Sequence, residues 1–236
     1  MHTQNPGLAQ LPCLQYKNGS WRRFEDEAAP EVAVSLTVDG TGERTLWAFP
    51  SQLHDLALGH ALLDICPKGM IPEMVEAGER AFRVRLKPGA PLPAPAWPGP
   101  LSAADILAGA TDFMELGGNW EATGCFHRAA LFDPEAKTFR HHVEDIGRHN
   151  CLDRLAGWAL AGAVPLNGGV LFVTARATAS LTAKAVRAGY AVMVSRSAVT
   201  TAGMELAREA GLTLIGFSRE NRFSVFTDAQ GRISEK

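Results

Sequence analysis

The densest group of reactive side chains in this sequence lies in residues 141–153, which read HHVEDIGRHNCLD. These thirteen residues contain three histidines, two adjacent carboxylates, an arginine and an asparagine, although only 20% of the whole chain is charged. Such a group is compatible with four roles: a metal centre, an acid–base pair, a clamp for a polyanion, or the exposed start of a helix.

A metal centre is the least favoured of these roles. His141 and His142 are neighbours on a predicted strand, so their side chains point to opposite faces. His149 follows Arg148, whose positive charge repels a cation. The four cysteines are scattered without a C-x-x-C pair, so the P-C-x-x-C half of a zinc-deaminase signature is missing. We therefore expect no structural metal, and reduced thiols that are mostly buried.

Periodicity after residue 100 predicts the elements that position this cluster. In chain order they are a helix in SAADILAGATDFMEL, an antiparallel pair in CFHRAALFD and TFRHHVEDI, a helix in RHNCLDRLAGWALAGA, a buried strand in GGVLFVTA, a helix in SLTAKAVRAGY, a buried strand in AVMVS, a helix in TTAGMELAREAG, a strand in LTLIGFS and an edge strand in RFSVFTD. This order predicts an α/β fold, in which a parallel sheet with an antiparallel strand at one edge lies between helix layers.

Ligands of open α/β sheets bind beyond the carboxyl ends of the strands. Each of four predicted strand ends carries at least one arginine, and two carry several hydroxyls. The polar residues there are Glu144, Asp145, Arg148, His149 and Asn150; then Thr174, Arg176, Thr178 and Ser180; then Ser195, Arg196, Ser197, Thr200 and Thr201; and finally Arg219, Asn221 and Arg222. Taken singly, each loop is explained by helix caps and surface charges. Four loops on one edge favour a polyanionic ligand, because arginines and helix N-termini bind phosphate. For Glu144 and Asp145 we expect a role in orienting Arg148, binding the ligand or capping the helix.

The chain divides at a stretch with six prolines between Pro88 and Pro100, which cannot continue a helix or a sheet. We predict a loose N-terminal arm over residues 1–30, a smaller N-terminal α+β subdomain over 31–87, a Pro-rich linker over 88–100, and an αβα ligand-binding domain over 101–236. The subdomain contains a predicted hairpin in EVAVSLTVDGTGERTLWAF, a helix in SQLHDLALGHALL with Ser51 as its N-cap, and a strand in RAFRVRLK.

Composition excludes several classes of protein. Hydrophobic content of 46% and a net charge of −2 are typical of a globular protein without a general attraction to nucleic acid or acidic membranes. No apolar run reaches the roughly 18 residues of a membrane helix, and the N-terminus lacks a signal-peptide core, so we expect a cytoplasmic protein.

Several motifs together resemble a known family. ATGCFHRAA, VEDIGRHNCLDRLAGWAL, TARATASLTAKAVRAG, SAVTTAGMELA and LTLIGFSRENRFSVFT occur in the order and spacing of the formate dehydrogenase accessory sulfurtransferase (FdhD) family. EVAVSLTVDG and FPSQLHDLALGHALL resemble its N-terminal segment. The resemblance implies a three-layer cytidine-deaminase-like αβα fold without the deaminase zinc.

The resemblance also implies a ligand, partners and site residues. The ligand is a molybdenum bis(molybdopterin guanine dinucleotide) cofactor, carried as cargo, with tungsten as the alternative metal. The implied partners are a cysteine desulfurase that supplies sulfur, formate dehydrogenase as the client, and a second copy of the chain. The cofactor-binding positions carried over are Thr123, Gly124, His127, Glu144, Asp145, Gly147, Arg148, His149, Asn150, Arg176, Ser197, Thr200, Phe217, Ser218, Arg219, Glu220, Asn221 and Arg222.

The sequence departs from the family where the family carries its persulfide. Most members have a C-x-x-C loop in the interval that is Pro-rich here and contains no cysteine. Cys125 beside His127, Cys151 in the first turn of a helix, and Cys66 near Lys68 are the candidate replacements. Cys125 is our first choice. The alternatives are a non-catalytic protein that holds the cofactor, or a guanine-nucleotide-binding regulator.

Overall fold

The computed structural model describes residues 7–89 and 97–235, which form three units in chain order: a separate hairpin as the first unit, followed by two compact units of sheet and helix. The predicted linker therefore lies partly outside the described residues, because 90–96 are not among them. No helix in the described ranges is both long enough and apolar enough to cross a membrane.

Residues 9–28 form a two-stranded antiparallel hairpin of β1 (Ala9–Lys17) and β2 (Ser20–Ala28). The turn uses Asn18 and Gly19, both at positive φ, as tight hairpin turns require. This differs from the loose arm expected for residues 1–30. Both faces of the hairpin are largely exposed, so its sequence lacks the alternation by which a half-buried strand is recognised.

The second unit is a four-stranded sheet covered by one helix. Its strands are β3 (Val32–Val38), β4 (Gly42–Ala48), β5 (Met70–Ala77) and β6 (Ala81–Pro88), in the order β4-β3-β6-β5. Helix α1 (Leu53–His60) continues into a π-helical turn (Ala61–Ile65). Alternate residues Val34, Leu36 and Val38 are buried against Ala57 and Ala61 of this helix. The predicted β3–β4 hairpin is present, whereas β5 was not predicted.

Helix α1 does not begin with the predicted Ser51 cap. Its N-cap residue is Gln52, which has a left-handed conformation at φ 46° and makes no side-chain capping bond. The Ser51 carbonyl instead accepts a bond from Arg154, so a contact with the third unit fixes the chain at this position.

The third unit is a six-stranded sheet in the order β12-β11-β10-β9-β7-β8. Its strands are β7 (His127–Asp133), β8 (Thr138–Asp145), β9 (Val170–Val173), β10 (Val192–Ser195), β11 (Thr213–Arg219) and β12 (Arg222–Thr227), and its helices are α2 (Ala103–Glu115), α3 (Trp120–Thr123), α4 (Arg148–Ala161), α5 (Ala179–Ala188) and α6 (Thr201–Ala210).

Helices cover both faces of this sheet, as predicted. Leu171 and Val173 of β9 face the core formed with α4, α5 and α6, whereas Val170 and Phe172 face the core formed with α2. Side chains alternate along a strand, so a continuous apolar run requires cover on both faces. The end of the chain closes the second core, because Ile233 pairs with Leu101 just before α2.

The sheet is more mixed than predicted. Strand β12 is the expected antiparallel edge strand and β7 pairs antiparallel with β8 as predicted, but β7 is also antiparallel to β9. The short turn after β7 forces β8 to return beside it, and the connection through α4 then places β9 on the far side of β7. Strand β8 therefore runs parallel to β9, β10 and β11.

The second and third units meet where α1 crosses α4 with backbones in contact. A Cβ atom at Gly59 would lie 1.7 Å from the Asp153 carbonyl oxygen, and one at Gly157 would lie 1.9 Å from the Asp55 carbonyl oxygen. Only glycine fits at these two positions.

Candidate functional site

The carboxyl ends of β8, β9, β10 and β11 lie at one edge of the six-stranded sheet, because these four strands are mutually parallel. Strand β7 is antiparallel and therefore begins at the same edge. The loops that carry the predicted residues thus share one rim of the sheet.

One group on this rim surrounds His127 at the start of β7. Its Nδ1 lies 3.4 Å from Thr174 Oγ1, which also accepts a bond from the Arg128 amide at 3.0 Å. Burial, followed by the charges of Arg148 and Arg176, lowers the pKa of His127. Within the described residues, the buried Nε of Arg148 has no hydrogen-bond partner. Buried donors are rarely left unpaired, so this atom is available to a bound acceptor.

His149 contacts the next helix along the sheet. Its Nε2 lies 3.0 Å from the Ser180 hydroxyl, and Ser180 Oγ lies 3.3 Å from Thr178 Oγ1. Burial lowers the pKa of His149, and the neighbouring charges of Arg148 and Lys184 act in the same direction.

Glu144 does not orient Arg148. Its Oε1 accepts bonds from Nε and Nη2 of Arg128 at 3.1 and 2.8 Å, and its Oε2 accepts from the Asn119 amide at 2.6 Å. Arg128 is 1% exposed and also donates to the Phe113 carbonyl at 3.0 Å. Glu144 therefore neutralises a buried arginine and anchors the end of α2.

Asp145 is likewise committed to a buried partner. Its Oδ2 accepts from Nε and Nη2 of Arg154, and both side chains are fully buried. Its Oδ1 accepts from the Gly147 amide at 2.8 Å and from Asn150 Nδ2 at 2.9 Å, so Asp145 closes the turn before α4. The Asn150 amide also donates to the Trp47 carbonyl at 2.8 Å and ties this turn to the second unit. Of the three roles expected for Asp145, the orientation of Arg148 is not observed, because Arg154 takes that carboxylate oxygen.

A second group lies at the other end of the rim, around the turn between β11 and β12. Glu220 and Asn221 occupy this turn at positive φ, and Arg219 pairs with Arg222 across it. Arg219, Arg196 and the buried Ser218 line a hollow of about 190 Å³ beside α2. The buried Ser218 Oγ has no partner among the described residues, which again leaves a group for a ligand.

The remaining predicted residues support the loops of the rim. Thr200 caps α6 by accepting from the Gly203 amide at 3.2 Å, and the Ser197 carbonyl accepts from the Phe217 amide at 2.9 Å. Thr123 Oγ1 accepts from the Cys125 amide at 3.2 Å, and Gly124 ends α3 in a left-handed conformation at φ 65°. These contacts fix backbone positions, so a ligand is not needed to explain them.

The four cysteines differ in accessibility. Cys125 is exposed and precedes β7 at the rim, whereas Cys66 and Cys151 are buried and Cys13 is half-buried on β1. Burial raises the pKa of Cys66, and it raises the pKa of Cys151 well above the ordinary value. The α4 dipole favours the thiolate of a first-turn cysteine, but for Cys151 the loss of water outweighs it, and neither buried thiol is suited to nucleophilic attack.

One ionic cluster was not predicted from the sequence. His60 Nδ1 lies 2.9 Å from Asp64 Oδ2 and 3.2 Å from Asp153 Oδ2, and Lys184 Nζ contacts the same two carboxylates at 2.6 and 2.5 Å. The carboxylates raise the pKa of His60 to about 9, in opposition to burial, which is the largest single effect and lowers it. His60, Asp64 and Asp153 are close enough to hold a metal ion, but the Lys184 ammonium already supplies their positive charge. The cluster joins α1 to α4 and α5.

The fold and the rim define an α/β protein whose sheet edge carries arginines and unpaired polar groups. The chain belongs to the FdhD/NarQ family, whose model matches residues 76–234. It is 30% identical over 249 aligned residues to the sulfur carrier protein FdhD of Geobacillus kaustophilus, covering 92% of this chain and 94% of that protein.

Two further comparisons agree with this assignment. The sulfur carrier protein FdhD of Chromobacterium violaceum is 28% identical, with 94% of this chain and 96% of that protein covered. A crystal structure from Desulfotalea psychrophila, described as that of a formate dehydrogenase accessory protein, matches with a TM-score of 0.80 at 23% identity, over 97% of this chain and 100% of that one. The resemblance to the FdhD family drawn from the motifs is therefore confirmed, as is the α/β fold.

Proposed function

We propose that this protein is a sulfur carrier for the maturation of formate dehydrogenase. The support comes from family membership and from full-length relatives that are named sulfur carrier proteins. The proposed sulfur donor is a cysteine desulfurase, the proposed client is formate dehydrogenase, and the protein is proposed to act as a homodimer in the cytoplasm.

The proposed cargo is a molybdenum or tungsten bis(molybdopterin guanine dinucleotide) cofactor bound along the rim. The observation that carries this proposal is the pair of unpartnered buried groups, Arg148 Nε and Ser218 Oγ, each placed beside further arginines at the rim. One arginine guanidinium group can donate two parallel hydrogen bonds to phosphate oxygens. Arg148 and Arg176 therefore suit one diphosphate group, and Arg196 and Arg219 suit another.

The spacing of these two groups is compatible with a long ligand. Strand β8 lies four strand positions from β11, which corresponds to about 19 Å across the sheet. A cofactor with two nucleotide arms can reach both groups at once, whereas a mononucleotide can occupy only one.

A guanine-nucleotide titration tests the rim. We expect Arg148→Ala and Arg219→Ala each to weaken GDP binding by about 1.5–3 kcal/mol, since each removes a charge-assisted hydrogen bond. Arg85→Ala, in the exposed ion pair with Glu73 on the second unit, is the matched control and leaves binding unchanged. Unchanged affinity in both rim variants would contradict the proposed cofactor site.

Cys125 is the proposed sulfur carrier, because its thiol is the only exposed one among the four cysteines. Its position two residues before His127 places it on the same rim as the proposed cargo. Incubation with a cysteine desulfurase and isotopically labelled cysteine, followed by intact mass measurement, should show one added sulfur atom. Cys125→Ala should lose that sulfur, whereas Cys13→Ala should retain it.

A second candidate function is a non-catalytic protein that holds the cofactor. It is favoured by one observation, the absence of any cysteine in the Pro-rich interval 88–100, where most family members carry their persulfide. Absence of labelled sulfur on any cysteine, together with GDP binding that depends on Arg148 and Arg219, would establish this alternative. Loss of GDP binding in either variant would by itself not distinguish among the sulfur carrier, the non-catalytic cofactor-binding protein and the guanine-nucleotide-binding regulator.

A further inference from the structure

The contact between His149 and Ser180 has the geometry of a general base and its nucleophile. The distance of 3.0 Å between Nε2 and Oγ lies within the range over which a base accepts a hydroxyl proton. His149 is the second residue of α4 and Ser180 is the second residue of α5, so two helix ends fix the pair. Ser180 is exposed, and an incoming substrate can therefore reach its hydroxyl.

We propose that Ser180 is a nucleophile activated by His149, and that it attacks the phosphorus of an anionic phosphate ester or anhydride. This activity uses neither a thiol nor a guanine base, so it goes beyond the sulfur transfer and cofactor binding proposed above, although it shares Arg148 and Arg176 with the proposed cofactor site.

The charges around the pair favour a phosphate substrate. Arg148 is adjacent to His149 in sequence and has an unpartnered buried Nε, and Arg176 lies in the loop before α5. Thr178, the N-cap residue of α5, makes no side-chain capping bond, so the first amides of this helix are available to phosphate oxygens.

The reaction balances within these groups. The Ser180 hydroxyl proton passes to His149 Nε2 as Oγ bonds to phosphorus and the bond from phosphorus to the leaving oxygen breaks. The leaving oxygen takes that proton from His149. A water molecule then attacks the phosphoserine, its proton passing to Nε2, and the Oγ–P bond breaks as Oγ is protonated again.

His149 must be neutral to accept the proton. Its charged neighbours are Arg148 and Lys184, which lower its pKa together with burial, and Asp153 and Asp64, which raise it by less. The net effect lowers the pKa of His149 from its ordinary value, so the ring stays neutral over a wider pH range than that of an ordinary histidine. The reaction rate should therefore rise with pH and become constant at a lower pH than it would with an ordinary histidine as the base.

Diisopropyl fluorophosphate is the test reagent, because an activated serine displaces its fluoride and becomes stably labelled. We expect intact mass and peptide mapping to place one label on Ser180 in the full-length protein. Ser180→Ala should not be labelled, and His149→Asn should be labelled about 100-fold more slowly, in line with the usual effect of a general base. Inorganic pyrophosphate should protect Ser180 at constant ionic strength, and Arg176→Ala should weaken that protection.

Ser20→Ala, at an exposed serine beside the turn of the β1–β2 hairpin, serves as the control for another hydroxyl and should be labelled like the unchanged protein. Thermal unfolding of each variant separates loss of the pair from loss of the fold. The proposal is overturned if a folded protein takes no label, if the label lies on another residue, or if His149→Asn reacts at the unchanged rate. Labelling of Ser180 that pyrophosphate does not slow overturns the phosphate substrate class.

Discussion

The carboxylates Glu144 and Asp145 show how a residue's neighbours in space decide its role. Both are adjacent to the rim in sequence, but each is bonded to a buried arginine, Arg128 and Arg154 respectively. A charge that is buried must be paired, and these two pairs hold α2 and the second unit against β7, β8 and α4. Glu144 and Asp145 therefore position Arg128 and Arg154. Because both carboxylates are used in this way, the rim itself remains positively charged.

Removing one partner of such a pair should be costly. Asp145→Ala leaves the Arg154 guanidinium buried without a carboxylate, and we expect the free energy of unfolding to fall by about 3–5 kcal/mol. Urea unfolding measures this change. Asp39→Ala, which removes a carboxylate from an exposed pair with Arg83, is the control and should have little effect. Equal losses in the two variants would contradict the role given to Asp145.

Residue roles were the least predictable part of the site. The sequence placed Arg148, Arg176 and Arg219 at one edge, because strand order alone determines where the loops meet. It did not reveal that Arg154 would pair with Asp145, although an arginine amid the buried face of α4 was a sign of a buried partner. Mostly buried thiols were expected, but the sequence did not decide which cysteine would be exposed, because the first-turn position of Cys151 says nothing about how tightly β7 packs beside it.

At the scale of elements, the crossing of α1 and α4 depends on two glycines. Gly59→Ala should separate these helices, since the new methyl group would meet the Asp153 carbonyl. We expect a loss of about 1–3 kcal/mol or more in the free energy of unfolding, as for other overpacked contacts. Gly117→Ala is the control, because a Cβ atom there meets nothing within 4 Å. A Gly59→Ala variant as stable as this control would show that the helices can shift without cost.

The His60 cluster makes the attachment of α1 sensitive to pH. The folded pKa of about 9 is above the ordinary value of 6.5, so the protonated ring stabilises the folded state. That stabilisation is complete below pH 6.5 and is lost as the pH rises through 9. We expect the free energy of unfolding to decline over this interval and His60→Gln to flatten the decline, measured by urea titrations at each pH. His54→Gln, at an exposed position on the same helix, should retain the slope.

Elements with a buried face were predictable, and those without one were not. The helices and strands after residue 100, apart from the four-residue helix α3, follow from apolar periodicity, since each buries one or both faces. Hairpin β1–β2 buries almost nothing, and the MIPEMVEA segment of β5 at the edge of its sheet shows no alternation. The antiparallel pairing of β7 with β9 could not be derived either, because the length of α4 allows β9 to pair on either side of the β7–β8 hairpin.

At the scale of the whole molecule, hydrogen bonds and direct helix packing hold the second and third units together. Arg154 and Asn150 bind carbonyls of Phe49, Ser51 and Trp47, while α1 packs directly on α4. The side chain of Arg154 is fully buried, so the units cannot part without leaving some of its guanidinium donors without their carbonyl partners. The Pro-rich stretch lies between the two sheets in sequence, but the contacts between the two units couple their stabilities.

We therefore predict a single cooperative unfolding transition for the two units. Native-state hydrogen exchange should give the same opening free energy for the slowest amides of β3 and of β9, because neither core opens alone. The exposed hairpin β1–β2 provides the internal control, since its amides should exchange faster. Distinct opening free energies for β3 and β9 would show that the two units unfold independently.

The pairing of Ile233 with Leu101 affects how the protein is made. During translation, α2 is made long before the segment around Ile233 that covers one end of its core, so Trp97 and Leu101 must be shielded by other means until that segment emerges from the ribosome. A chain that terminates between the arginine rim and Ile233 would expose this patch, and it would be a target for cellular quality control even though every residue of the rim had been synthesised.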